Sequence, residues 1–339
     1  MPTRRLAVAW ALLCGVLLFG PAATGTAATM PATSGPLSET QQHDVLAQID
    51  AVGRRGFLYE VTRPASDGAA APDQRLFLYG TIHLGRVGSE PFNRPLVAAL
   101  RRSRRLALEA DPTDAAATLQ LALQLGRYGD GDDLQRHLSA DLMARVHAFG
   151  SKNGLSDDQL ERFRPWLLAN MVTLRDFGEA GLDPALGSEL YLSGFARARH
   201  IPIVEIEGLE AQLHLLAGLP DALQAAQLDE ALSEVDDHVA TNEGKALFDV
   251  WLTADAEAGD ALVADLHRDE AGKAFGRYFV ETLIDQRDRT MADKAEACLA
   301  LPGNTFFAVG ALHLFGPAGL IRELARRGYR VVDLQSNDR

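Results

Sequence analysis

Cysteine is almost missing from this chain: its 339 residues include two, Cys14 and Cys298. That excludes a disulfide scaffold and a zinc site built on cysteine. Positive charge is also scarce, with Lys+Arg 33 against Asp+Glu 46 and a formal net charge of −13. The chain therefore lacks the basic footprint of a nucleic-acid binder or a sensor of anionic lipid. No G-x-S-x-G occurs to make a nucleophile elbow. Neither H-E-x-x-H nor a phosphate-binding P-loop is present. No long segment recurs at a period of about 20–50 residues, which argues against a repeat architecture. Aromatic residues make up only 7%, yet hydrophobic residues reach 47%, ample for a packed core.

One long apolar run exists, Leu6 to Phe19, preceded by Arg4 and Arg5 and followed by small residues from Gly20 to Ala28. Charge, apolar core and small residues in that order form a secretory signal, with cleavage expected after Ala27 or Ala28. The run, about 14 residues, is short for a bilayer core of ~30 Å, which weighs against an uncleaved anchor. Cys14 sits inside the run instead of closing it, which weighs against lipidation. The expected organisation is a signal peptide over 1–28, a small polar linker over 29–42 and a single domain over 43–339. The mature protein is expected to be periplasmic or secreted, with no stable membrane insertion, Cys298 as its one thiol and a net charge of −15.

The pattern along the chain predicts an α/β fold: a mixed sheet assembled from both chain ends, with a large helical insertion between. Phe57 to Arg63 and Arg75 to Tyr79 read as a hairpin, with Pro64, Asp67, Gly68 and Pro72 at its turn. Pro91 to Ser103 reads as a helix and Arg105 to Glu109 as a short buried strand. Helical spacing follows over Ala115–Leu125, Ala140–Phe149, Ser156–Phe177 and Pro184–His200. Ile201 to Ile206 returns to a strand. Leu209–Ala217, Pro220–Val239, Lys245–Asp255 and Phe275–Leu299 read as helices. The chain closes with strand Thr305–Val309, helix Gly319–Arg327, Gly328 as its C′ residue and strand Tyr329–Leu334.

The same grammar appears after two separate strands. Gly80-Thr-Ile-His83-Leu-Gly85 follows the second, and Gly310-Ala-Leu-His313-Leu-Phe-Gly316 follows the penultimate one. Polar groups just beyond strand C-termini line the ligand crevice of open α/β sheets. Glu109 ends a third strand, so two imidazoles and one carboxylate suit a divalent ion with positions left open. Spacing alone leaves alternatives: a hydrogen-bonded structural histidine, or a surface or capping glutamate. His43, His137, His147, His200, His214, His238 and His267 lack paired partners in sequence and read as structural or surface. Gly129 to Asp133 reads as an exposed turn and Trp166 as core.

Phe77-Leu-Tyr-Gly-Thr-Ile-His-Leu84 and Phe307-Ala-Val-Gly-Ala-Leu-His-Leu314 resemble the paired GxxH motifs of the TraB/GumN family, whose superfamily includes PrgY and the Tiki metalloproteases. Arg164-Pro-Trp166, Gly181-Leu-Asp183, Glu205-Ile-Glu207 with Gln212-Leu213, and Arg287-Asp288 stand where that family has its signposts. The resemblance spans essentially the whole mature chain. It implies a metal-dependent hydrolase with a fold related to erythromycin esterases. In Tiki relatives, manganese- or cobalt-dependent peptidase activity is attributed to the two GxxH histidines and a glutamate. By motif these fall on His83, His313 and Glu109. Two departures stand out: Glu207 is followed by Gly208 where the family has a hydroxyl residue, and Leu312 replaces a frequent glycine.

The reading that follows is an exported, peptidase-like hydrolase whose His83, Glu109 and His313 hold manganese or cobalt, with zinc or iron as further candidates. Its substrate would be a peptide or a small molecule. Glu207 at a strand end is expected to cap a helix or support the site, with proton acceptance as a further role. Arg287 lies either on a solvated helix face or inward, binding an oxyanion or orienting Glu109. The rival readings are a binding protein that sequesters a peptide signal or metal complex, and an envelope protein acting through protein contacts alone.

Overall fold

The structure is a computed structural model and describes residues 53, 55–64, 74–236, 239–270 and 274–335. The expected signal peptide and linker lie outside the described residues, as do Asp67, Gly68 and Pro72 of the hairpin turn.

Six strands form one mixed sheet: β1 (Phe57–Thr62), β2 (Leu76–Thr81), β3 (Ser103–Leu108), β4 (Ile203–Glu205), β5 (Asn304–Gly310) and β6 (Arg330–Asp333). Their order across the sheet is β4-β3-β5-β2-β1-β6. β1 pairs antiparallel with β2 and β6, while β2, β5, β3 and β4 run parallel. The sheet is thus built from both ends of the chain, as the sequence predicts. β2 is apolar along Leu76–Tyr79 and wholly buried, the signature of a central parallel strand covered on both faces.

Local chemistry sets most helix starts. α1 (Arg94–Arg102) begins after Asn93, whose side chain accepts from Leu96 N–H. Asp114 caps α2 (Ala115–Leu125) and Ser139 caps α3 (Ala140–Asn153) in the same way. The helix expected over Ser156–Phe177 is in fact two. A capping box of Ser156 and Gln159 opens a single turn at Asp157–Leu160, and α4 (Pro165–Glu179) starts afresh with Pro165 at its first position. Proline cannot sit in a helix interior without losing a bond and clashing with the preceding turn, so the break falls there. Pro184 likewise opens a single 3₁₀ turn, which the extended backbone of Gly187 separates from α5 (Ser188–Ala198).

The insertion continues through α6 (Leu209–Ala217), α7 (Asp221–Asp236), α8 (Val239–Thr253) and α9 (Ala256–Glu270). α8 starts earlier than the apolar spacing indicates, and α9 was not anticipated. The segment read as one helix over Phe275–Leu299 contains an eight-residue π-helix, Phe279–Gln286, leading into α10 (Arg287–Ala300). α11 (Leu320–Arg326) ends before Gly328, whose φ of +88° fits the expected left-handed residue.

The main core packs both faces of the sheet and includes Trp166, which is fully buried as its core assignment requires, together with Phe177 and Trp251. A second cluster, with Met143, Leu160, Leu168 and Leu228, holds α3, α4 and α7 together. Among the described residues no helix is long and apolar enough to cross a membrane.

Candidate functional site

β3, β5 and β2 are parallel neighbours, so their C-terminal ends share one rim of the sheet. Glu109 follows β3, His313 sits in a 3₁₀ turn (Ala311–Leu314) after β5, and His83 follows β2. All three line one narrow cavity. The repeated Gly-x-x-His grammar thereby becomes two imidazoles delivered from adjacent strands.

The loop carrying His83 is held by the helical insertion. Ile82 N–H donates to Ser188 Oγ at 2.8 Å, and Ser188 N–H donates to the Ile82 carbonyl at 2.9 Å. Gly85 and Asp183 exchange backbone bonds. The approach leaves no room for side chains: a Cβ on Gly187 would lie 2.6 Å from the His83 carbonyl oxygen, and one on Gly85 would lie 2.0 Å from that of Leu186. This docking brings Glu189, in the first turn of α5, to 2.6 Å from His83 Nδ1, a close but poorly aligned contact.

His313 has a matching partner. Its Nδ1 stands 2.5 Å from Asp288 Oδ1, and both side chains are essentially inaccessible to solvent. Its Nε2 is buried without a hydrogen-bond partner, 3.9 Å from Glu109 Oε1. Glu109 accepts from Gly310 N–H at 2.5 Å on Oε1, and from Arg287 Nη2 at 2.7 Å and Gln212 Nε2 at 3.0 Å on Oε2. Arg287 Nη2 also donates to Glu207 Oε2 at 2.6 Å, and Gln212 Nε2 reaches the same oxygen at 2.9 Å.

The charges answer to these contacts. Burial opposes ionisation of Glu109, but Arg287, His313, His83 and the Gly310 N–H overcome it and hold its carboxyl down at about 2. Burial also disfavours a protonated His83; Glu189 and Glu109 outweigh it and raise the imidazole above its ordinary 6.5. Asp288 is pushed up to about 6, because burial dominates the opposing pull of His313.

All five sequence-nominated residues, His83, Glu109, His313, Glu207 and Arg287, therefore meet in one cluster. For two of them the structure decides between the alternatives. Arg287 does not lie on a solvated face; it is 7% exposed and bridges Glu109 and Glu207. Glu207 does not cap α6, whose cap residue is Gly208 with no side-chain bond; its carboxylate is taken by Arg287 and Gln212 instead. Sequence reasoning gave no role to Glu189, and Asp288 and Gln212 figured only as signposts. Glu189 had no local signal, because the contact that docks its helix start, Ile82 with Ser188, joins residues 106 apart along the chain. Four histidines assigned no partner have carboxylates beside them: His137 lies between Asp132 and Asp221, His147 near Glu161, His214 near Glu210, and His267 contacts Asp285.

Donor chemistry fits a divalent ion. Each imidazole has a buried carboxylate at its Nδ1, hydrogen-bonded for His313 and in close contact for His83, the arrangement that fixes tautomer and ring orientation in histidine ligands. Three buried carboxylates, Glu109, Glu189 and Asp288, and the partly buried Glu207 converge with one guanidinium, which leaves a negative surplus for a cation to balance when both imidazoles are neutral. Finished ligation geometry is not present: among the described residues no three His, Cys, Asp or Glu side chains stand ready around one point. Both Glu109 oxygens already accept hydrogen bonds from the protein.

The chain is similar to uncharacterized protein YbaP of Escherichia coli (strain K12), 26% identical over 261 residues that cover 76% of this chain and 91% of that protein. The protein of the same name from Shigella flexneri matches with the same identity and coverage. No solved structure matches. The profile of the TraB/PrgY/gumN family aligns with residues 69–333, a stretch that contains both histidine segments and every member of the buried cluster. On that match, over most of its length, the chain belongs to the TraB/PrgY/gumN family.

Proposed function

We propose that this protein is an exported, metal-dependent hydrolase of peptide-like bonds, with His83, Glu109 and His313 as the ligands. The observation that carries the reading is His313 Nε2: a buried nitrogen with no partner, beside Glu109, on a ring whose other nitrogen is already engaged. Export rests on the basic, apolar and small-residue order of residues 1–28.

When bound, a divalent ion at such a donor set supplies an activated water and polarises a carbonyl. The protein's own groups do the rest. Asp288 holds His313 by Nδ1 and Glu189 stands against Nδ1 of His83, which leaves Nε2 of each ring as the donor. Arg287 is a positioning residue: its Nη2 spans Glu109 and Glu207, and its charge keeps Glu109 ionised. Glu207, the less buried of the two, accepts the proton released by the attacking water on Oε1, the oxygen that Arg287 Nε contacts at 2.9 Å. Gln212 keeps the two carboxylates in register through one amide nitrogen.

The test is metal analysis of the purified protein, then turnover of peptide and ester libraries before and after chelation and with added manganese or cobalt. A bound divalent ion is expected, with activity lost on chelation, restored by metal and weakened in acid, where protons compete for the imidazoles. Unchanged turnover after complete chelation overturns the metal role. Tight peptide binding without cleavage in any metal form replaces the hydrolase with the sequestering protein.

A further inference from the structure

The free edge of the sheet adjoins the buried cluster. β4 is an outermost strand of three residues and pairs only with β3. Its inward bonds are marked by Leu106 N–H donating to the Pro202 carbonyl and Ile206 N–H donating to the Leu108 carbonyl. Backbone groups alternate sides along a strand, so the N–H and C=O of Ile203 and Glu205 face away from β3. Among the described residues no other backbone group takes them up. Val204 between them is 40% exposed. Open N–H and C=O groups on an exposed edge are a template for one more strand.

An open groove runs beside this edge, walled by Asp111, Asp114, Arg197, Ile203, Glu205 and Leu209. Arg197 is spent on Asp111 at 2.7 Å, so Asp114 and Glu205 leave the groove negative. Asp111 and Leu209 also line the pocket that contains His83, Glu109 and Glu189, so the groove leads into the cluster. The strand points the same way: Glu207 and Gly208 N–H groups both donate to the Glu109 carbonyl.

We propose that an extended peptide segment carrying a basic side chain docks as an added strand on β4, in the acidic groove that opens toward His83 and Glu109. The main-chain bonds come from Ile203 and Glu205, and the acidic wall selects the charge. This deepens the hydrolase reading and rests on it for the fate of the peptide, but the docking itself needs no metal. An acidic second copy of this chain is a poor occupant, because its charge opposes that of the groove.

The experiment measures binding of fluorescent octapeptides to the full chain after chelation, by anisotropy. The probes are a Thr/Val peptide with one central lysine, its glutamate counterpart, and versions of the lysine peptide N-methylated at alternate amides or at all amides. The lysine peptide is expected to bind about tenfold or more tighter than the glutamate peptide. Alternate methylation is expected to be tolerated, since only every second amide faces β4, and full methylation to cost about tenfold or more. Glu205→Gln keeps an acceptor for the Asp111 N–H and is expected to shrink the lysine preference by about threefold or more. Equal binding of the alternate and fully methylated peptides, equal binding of lysine and glutamate peptides, or no binding of the lysine peptide overturns the proposal. Binding with this pattern but no turnover in any metal form leaves the dock standing and removes the hydrolase. Turnover without this pattern does the reverse.

Discussion

His83 and His313 end segments of the same grammar, yet their surroundings treat charge differently. On the His83 side the carboxylate is Glu189, in the first turn of α5, where the backbone dipole favours negative charge. There the imidazole gains: it is raised above its ordinary value despite burial. On the His313 side the carboxylate is Asp288, 0% exposed and one turn from Asp285, whose charge adds to the effect of burial. There the acid is weakened, up to about 6. An identical strand–Gly–x–x–His motif therefore says where an imidazole goes but not how burial and neighbouring charge act on the pair formed there.

The largest effect is expected from removing what the two arms share. Arg287→Met leaves Glu109 and Glu207 buried without their common cation and is expected to cost about 3–5 kcal/mol at neutral pH. The depressed Glu109 carboxyl contributes stability above its ordinary 4.5 that is lost as pH falls toward about 2. The variant should lose much of that acid-side dependence. Denaturant melts across pH decide it; a wild-type melting profile would show that the guanidinium does not hold the pair.

Next comes the metal. His83→Ala and His313→Ala are each expected to remove most metal affinity, and the double variant little more, because members of one site act as a unit. Calorimetric titration of the three variants is the measurement. Full occupancy in either single variant breaks the common site. If instead each substitution lowers the melting temperature of the metal-free protein and leaves metal content unchanged, the histidines only brace the rim.

The arms themselves separate in the metal-free protein through Glu189→Gln and Asp288→Asn. Raised His83 contributes stability that is complete below its ordinary 6.5 and is lost as pH rises through its folded value. Glu189→Gln is expected to flatten that fall. Asp288 binds its proton more tightly when folded, so its ionisation costs stability as pH rises from its ordinary 3.8 through about 6. Asp288→Asn is expected to flatten that lower window instead. Each substitution should also weaken metal binding about 10–100-fold. Changes in one shared window would erase the distinction between the arms.

The smallest effect is expected at His267 and Asp285, the same type of pair without a site. Its hydrogen bond to Asp285 raises His267 above 6.5, so the pair's contribution is present below that value and fades as pH rises through the raised one. Asp285→Asn is expected to cost under about 1 kcal/mol at pH 6 and to leave metal content unchanged. A loss of metal here would mean that the π-helical segment, which also leads to Arg287 and Asp288, is set by this surface contact.

Much was legible from local pattern. Alternating and continuous apolar runs announced all six strands, and apolar spacing placed the helices at Ala115 and Ala140 where they begin. The two Gly-x-x-His segments and Glu109 were readable as rim residues because each directly follows its own strand. The split at Pro165 was written in the sequence as well, and only the strength of the surrounding apolar periodicity masked it.

By itself the sequence determined the strands, most of the helices, the family and the identity of three rim side chains, since propensity and periodicity act over a few residues. The tertiary structure alone decided which carboxylate meets which histidine. Glu189 comes from the inserted helices and Asp288 from the end of a π-helix, and nothing local marks either as a partner. It also decided that Arg287 turns inward, because a guanidinium between two buried carboxylates is a product of helix packing against the rim. Short-range chemistry specifies backbone conformation. Burial and long-range juxtaposition specify charge, and charge is what the site is made of.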